Sequence, residues 1–292
     1  MNENYIPESE LIINPNGTIY HLELLPEQLA DIVITVGDPD RVGEVSKYFD
    51  RIEFQIHHRE LVTHTGYLNN KRLSVLSTGM GTDNIDIVLT ELDALANIDF
   101  VTRTPKKELT SLQIIRLGTS GCVSEELAND EIIITETAFG LDTLMHYYPM
   151  EQSIQETVYL DSFANYMRPH FPLLQPYIAS GDTDLLDKFG TIYKRGTTIT
   201  APGFYAPQGR QLRANTDTKN LISLLQNFRH KHFRITNFEM ETSGIYGLGK
   251  ALGHRCLSVN ALVANRVTQK FSTQPEKTIQ RMIEQSLELI TT

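Results

Sequence analysis

The chain has 292 residues, 40% hydrophobic and 21% charged, which is an ordinary globular composition with room for one large α/β domain or two small ones. Its 26 Lys+Arg against 36 Asp+Glu leave a formal charge of −10, the wrong sign for non-specific nucleic-acid binding over an extended surface. Two cysteines, Cys122 and Cys256, without CxxC spacing argue against a disulfide framework and point to a reducing compartment.

The start, MNENYIPESELIINPNG, lacks the basic and apolar regions of a signal peptide, and no apolar run approaches the roughly 20 residues that span a bilayer. The expectation is a soluble, cytoplasmic protein with neither a membrane nor a nucleic-acid partner. Residues 1–20 read as a polar N-terminal arm with Pro7, Pro15 and Gly17, and residues 21–292 as the domain.

DIVITVG (31–37) is a β-branched run ending in glycine, a buried-strand pattern. DPDRVGEVSKYF (38–49) follows as a helix, with Asp38 as N-cap and Pro39 at the first helical position. ELVTHTGYL (60–68) and RLSVLST (72–78) read as paired strands, and residues 82–97 place Ile85, Val88, Leu89, Leu92 and Leu95 on one helical face. LQIIRLGTSG (112–121) and EIIITETAF (131–139) are further strands, whereas residues 140–180, rich in Tyr, Phe and Pro, read as loop or short helix. TTITAPGFYAP (197–207) is strand, then turn. RITNFEM leads into a helix at about 241–252, and RCLSVNALVANR (255–266) is a strand. Thr273-x-x-Glu276 has the spacing of a capping box opening the last helix, with Ile279, Met282, Ile283, Leu287 and Ile290 on its apolar face. Strands alternating with helices predict an α/β sandwich, with ligands at the carboxyl ends of the strands.

Residues with chemistry fall at those ends. In TVGDPDR (35–41), Gly37 allows close backbone approach, the helix N-terminus suits an anion, and Arg41 reaches the same place; a capped helix with a surface arginine explains the stretch equally well. Arg116 interrupts an apolar strand, so it must meet an anion or a carboxylate. The anion, with Thr119 beside it, is preferred to a structural pair with Glu239 or Glu241. IHHRE (56–60) is not a zinc site, because adjacent strand residues point to opposite faces. STGMGTDN (77–84) echoes GxGxxG but has Asn84 in place of the third glycine and no partner acid. In GFYAPQGRQLR (203–213), Phe204 can stack on a flat ring, Gln208 offers a donor and an acceptor side by side, and Arg210 can stabilise negative charge; a solvated loop is the plainer account of that stretch taken alone. NFEMET (237–242) sets Glu239 and Glu241 around Met240, with a turn into the helix expected to part the two carboxylates.

Taken in order, GDPDRV (37–42), HRE (58–60), STGMG (77–81), IIRLGTSG (114–121), FYAPQGR (204–210), NFEMET and VANR (263–266) resemble the nucleoside phosphorylase-I family, and within it most closely the uridine phosphorylases. The resemblance runs from about His21 to Arg266. It implies a single-domain three-layer α/β/α sandwich with a distorted mixed central sheet. It also implies phosphate binding by Gly37, Arg41, Arg116 and Thr119, with Arg59 added from a neighbouring subunit. His21 would reach across likewise to the ribose 5′-hydroxyl, Met240 and Glu241 would hold the 2′- and 3′-hydroxyls, and Glu239 would lie near the sugar–phosphate junction. Phe204, Gln208 and Arg210 would read uracil, with Val263 and Arg266 on the same base-binding side. Relatives carry a monovalent cation at some dimer interfaces near the Glu matching Glu60; here Asn84 stands where they have Ser, and no metal or other cofactor is expected beyond phosphate as co-substrate.

The activity so implied is reversible phosphorolysis of uridine to uracil and ribose 1-phosphate in pyrimidine salvage, with Arg210, Gln208, Glu241 and Arg116 as the catalytic set. The smallest unit would be a homodimer, with a hexamer open. Three alternatives compete. A purine nucleoside phosphorylase would carry an Asp within the strand that here reads VNALVANR; a water-using nucleosidase would not need three arginines; a nucleoside-binding protein without catalysis would not need the full set of site residues.

Overall fold

The structure, a computed structural model, describes residues 4–292, so the first three residues of the expected arm lie outside it. In chain order the elements begin with β1 (Ile32–Val36), α1 (Pro39–Ser46), β2 (Arg51–His58), β3 (Leu61–Leu68), β4 (Lys71–Ser77) and α2 (Thr82–Asn97). The small hairpin β5 (Ile98–Asp99) and β6 (Thr104–Pro105) leads to β7 (Gln113–Cys122), β8 (Ile132–Gly140), α3 (Ile154–Met167), β9 (Tyr177–Ser180) and α4 (Thr183–Phe189). The chain ends with β10 (Lys194–Thr200), α5 (Leu221–Asn227), β11 (Asn237–Glu239), α6 (Thr242–Leu252), β12 (Arg255–Asn265), β13 (Lys270–Phe271) and α7 (Pro275–Thr291).

One mixed sheet runs β13-β12-β8-β10-β11-β7-β1-β4-β3-β2, with β9 added on β8. β12 also pairs with β7 along its whole length, so β7, β12, β8, β10 and β11 close on themselves and curl that half of the sheet. This is the expected distortion, and its cause is the behaviour of β7. From Gln113 to Arg116 β7 pairs parallel with β1, whereas at Gly121 and Cys122 it pairs antiparallel with β11. Between those registers the strand changes neighbour on that side, and such a switch opens a crevice at the strand ends.

Helices cover both faces, as an α/β/α sandwich requires. Ile85, Val88 and Leu92 of α2 and Ile245 and Leu248 of α6 share one core with Val33 and Ile114. Val42 and Val45 of α1, Leu185 and Leu186 of α4, and Met282, Ile283 and Leu287 of α7 share the other with Ile34, Ile115 and Val259. Each such fully buried side chain contributes roughly 1.5–3 kcal/mol over leaving it exposed. Part of the polar N-terminal segment joins the first core, since Leu11, Ile19, Leu22 and Leu24 are buried there. Among the described residues no helix is long and apolar enough to cross a membrane.

Two expectations need correction. Residues 140–180 contain a 14-residue helix, α3, which buries Phe163 and Met167. Its start is a true capping box: Ser153 Oγ accepts from the Glu156 N–H, and the Glu156 carboxylate accepts from the Ser153 N–H. The capping box expected at Thr273 does not form. Ser272 Oγ accepts from the Gln274 N–H, so the last helix starts one residue later, with Gln274 as N-cap and Pro275 first. Glu276 is then one position short of reaching back.

α6 carries Gly244, Gly247 and Gly249, each of which costs an isolated helix about 1 kcal/mol relative to Ala. Close packing accounts for them. A Cβ on Gly244 would lie 3.0 Å from Thr82 Cγ2, one on Gly247 2.7 Å from Met145 Cγ, and one on Gly249 would overlap Cys256 Sγ. The helix therefore sits as near α2 and β12 as its backbone allows.

Candidate active site

The crevice beside β7 opens into a cavity of about 550 Å³. Gly37 and Arg41 bring the end of β1 and the start of α1 to it, with Asp38 accepting the Asp40 N–H as the expected N-cap. Arg116 and Thr119 come from β7, Glu239, Met240 and Glu241 from the β11–α6 junction, and Val263 from β12. Phe204, Gln208 and Arg210 close the far end. Residues 200 positions apart thus share one wall because four strands end there.

Arg116 is buried at 6% exposure, and both of its terminal nitrogens are engaged. Its Nη2 donates to Glu241 Oε2 at 2.6 Å and lies 3.1 Å from Glu239 Oε2, while Nη1 donates to Asn260 Oδ1 at 3.0 Å. The two glutamates are therefore not parted by the turn; both converge on one guanidinium nitrogen. Burial opposes the Arg116 charge, yet Glu239 and Glu241 outweigh it and hold its pKa above the ordinary value. The guanidinium lies flat against Gly118, where any Cβ would overlap it. Gly118 thus makes room for the Arg116 guanidinium, a role that the strand pattern alone did not single out.

Glu239 is the anion at the N-terminus of α6. It accepts from the N–H groups of Glu241 at 2.9 Å and Thr242 at 2.9 Å, and from Thr200 Oγ1 at 2.7 Å. Burial raises its pKa, Arg116 opposes that, and Glu241 adds to it. Each of its hydrogen-bond partners is a donor, and the carboxylate is the form these donors favour. Glu241 spends one oxygen on Arg116 and the other on the Gly81 N–H at 2.8 Å, which leaves lone pairs facing the cavity.

At the other end, a short turn at Ala206–Gln208 is followed by Gly209 with φ +67°. That left-handed residue folds the chain back, so that Gln208 and Arg210 meet: Arg210 Nη1 donates to Gln208 Oε1 at 2.7 Å and to the Phe204 carbonyl at 2.6 Å. The Arg210 guanidinium stacks 3.8 Å from the centroid of the Phe204 ring, which is 50% exposed. Phe204 thus faces the arginine rather than standing free for a flat ligand ring. Burial first and then Arg266 push the Arg210 pKa down to about 10. Arg41 is lowered by burial, with Asp38 opposing and Arg116 adding to the effect.

Three residues of the expected site do not line this cavity, and two of them, Arg59 and His21, were expected to serve a neighbouring subunit's site. Arg266 stands behind Gln208, donating to its carbonyl at 3.1 Å, and so supports the loop. Arg59 is exposed, at φ +55° in the β2–β3 turn. His21 lies on α2, where Glu91 takes its Nδ1 at 2.6 Å and the N–H groups of His21 and Leu22. Phe271 and Met80, which sequence did not flag, line the rim, as does Glu60. Among the described residues no three His, Cys, Asp or Glu side chains converge on a metal site.

A family model described as the phosphorylase superfamily matches residues 31–292. The chain belongs to the phosphorylase superfamily. This phosphorylase is 28% identical over 262 residues to a uridine phosphorylase of Thermococcus kodakarensis, covering 89% of this chain and 82% of the relative. It is 25% identical over 281 residues to a DeoD-type purine nucleoside phosphorylase of Buchnera aphidicola, covering 92% and 98%. A crystal structure of a Trypanosoma brucei nucleoside phosphorylase, described as showing uridine phosphorylase activity, superposes with a TM-score of 0.87 at 29% identity and covers 96% of this chain and 98% of that one. Similarity of sequence therefore spans pyrimidine and purine relatives alike.

Proposed function

We propose that this phosphorylase cleaves uridine with phosphate, giving uracil and ribose 1-phosphate. The observation that carries the reading is the Gln208–Arg210 pair, set in the same cavity as Arg116 and Glu241. A side-chain amide beside a guanidinium matches an imide edge that donates from nitrogen and gathers charge on oxygen. β12 adds no carboxylic acid to protonate a purine ring; its end supplies Val263 to the wall and Arg266 to the loop.

In this mechanism Arg41, Arg116, Thr119 and the backbone at Gly37 hold phosphate beneath C1′, where positioning substitutes for nucleophilic strength. Glu241 accepts the ribose 2′- and 3′-hydroxyls, and Met240 lies along the sugar. The C1′–N1 bond breaks as a phosphate oxygen bonds to C1′. The sugar gains positive character, stabilised by the phosphate, and uracil leaves with negative charge met by Arg210 and Gln208.

Charge supports a shared site. One chain lines the cavity with Asp38, Glu60, Glu239 and Glu241 against Arg41, Arg116 and Arg210. Four carboxylates against three guanidiniums repel a phosphate dianion overall, so a further cation is needed. Arg59 of a second copy would supply it, with His21 of that copy at the ribose 5′-hydroxyl.

Incubation with uridine, with and without phosphate, tests the reaction. Uracil and ribose 1-phosphate should appear only with phosphate. Cleavage of inosine but not uridine would reassign the base; release without phosphate would make the protein a hydrolase. Mixing an Arg59→Ala protein with an Arg210→Ala protein should restore part of the activity that each lacks, and no recovery would rule out sharing.

A further inference from the structure

We propose that Asn260 is the positioning residue for Arg116, and that its neutrality keeps a third carboxylate away from the incoming anion. The inference rests on the reading of Arg116 as a phosphate ligand. Asn260 is completely buried in the middle of β12, at the position facing Gly118 across the β7–β12 ladder. Its Oδ1 accepts from Arg116 Nη1 at 3.0 Å. Its Nδ2 donates to Thr135 Oγ1 and to Ser258 Oγ, both at 3.1 Å. All of the amide's contacts agree on one orientation, because the flipped amide would turn its N–H groups on a guanidinium that only donates.

Arg116 is therefore constrained from several sides. Glu239 and Glu241 take Nη2, Asn260 takes Nη1, and Gly118 lies against the plane of the group. Nε–H makes no hydrogen bond within the described residues, although Arg116 lines the cavity. An uncommitted N–H on an otherwise fixed fork is a preorganised anion donor. Two carboxylates already share this one guanidinium. A carboxylate at 260, isosteric with the amide, would be a third, deepening the negative surrounding just where a dianion must enter.

The test measures the affinity of inorganic phosphate by calorimetry, together with separate KM values for phosphate and uridine. Asn260→Asp should weaken phosphate binding and raise its KM by about tenfold or more, while the uridine KM moves by about twofold or less. Asn260→Ala, which removes the contact without adding charge, should give a smaller loss of the same phosphate-selective kind. It also decides the matter if the buried aspartate prevents folding. Phosphate affinity within about twofold of wild type in a folded variant would overturn the proposal, as would equal losses for phosphate and uridine, the mark of a general collapse of the site. Wild-type protein that binds phosphate but leaves uridine intact would sink the uridine reading and leave Asn260 standing. Wild-type protein that does not bind phosphate would overturn both.

Discussion

The two ends of the cavity are built by different means. At one end, Arg116, Glu239 and Glu241 are buried within a strand, at a strand end and at a helix start, and their polar atoms are tied to one another and to backbone N–H groups. At the other end, Gln208 and Arg210 stand on a turn, and Arg210 rests on a half-exposed ring. A buried ionic cluster is held by the whole fold, so it is rigid and stability depends on it. A loop pair is held by a few contacts, so it can adjust to a ligand at little cost to the fold. On the proposed uridine reading, the ribose and phosphate would meet the rigid end and the base the adaptable end.

Substitutions at the two ends should separate accordingly. Arg116→Ala should have the largest effect. It leaves two buried carboxylates without their cation, so stability should fall by about 3–5 kcal/mol in denaturant titration, with activity lost as well. Arg210→Ala should lower kcat by about 10²–10³-fold. Its melting temperature should stay within about 2 °C of wild type, because the side chain is part-exposed and on a loop. Equal destabilisation by the two would erase the contrast. Gly118→Ala tests the rigid end more finely. The backbone at 118 has no positive φ, so the methyl group displaces only the guanidinium, and kcat/KM for phosphate should drop by about 10²-fold with uridine affinity largely kept. Phe204→Ala should do least, raising the uridine KM about two- to fivefold through loss of roughly 0.5–1 kcal/mol of stacking against Arg210, with no change in thermal midpoint.

Much of the fold was legible because burial periodicity and glycine punctuation agree with the final elements. α2 spans Thr82–Asn97 as its apolar face predicts, and the strand expected at 112–121 is β7, displaced by one residue. α3 was obscured by flanking Tyr, Phe and Pro, although Ser153 and Glu156 announce its start by local chemistry alone. The capping box expected at Thr273 failed because Ser272 Oγ, which accepts the Gln274 N–H, is itself fixed on Asp130, a tertiary contact that no local pattern contains.

At the site, an arginine in an apolar strand was readable as a charge needing a partner. The roles of Gly118 and Asn260 were not, because both depend on the register between β7 and β12. The convergence of Glu239 and Glu241 escaped for a related reason: residues i and i+2 at a strand end share a face, and the turn into α6 preserves that arrangement.

The glycine-lined packing of α6 bears on how this enzyme can be re-engineered. Its first residues carry the N–H groups that fix Glu239, and its N-cap is Glu241 itself. Larger side chains at Gly244, Gly247 or Gly249 would lift the helix off Thr82, Met145 and Cys256 and carry Glu239 and Glu241 with it. A library seeking altered nucleoside preference is therefore best confined to Gln208 and Val263, which line the cavity away from α6. Diversity introduced along the buried side of α6 would mostly yield inactive clones, whatever base was being selected.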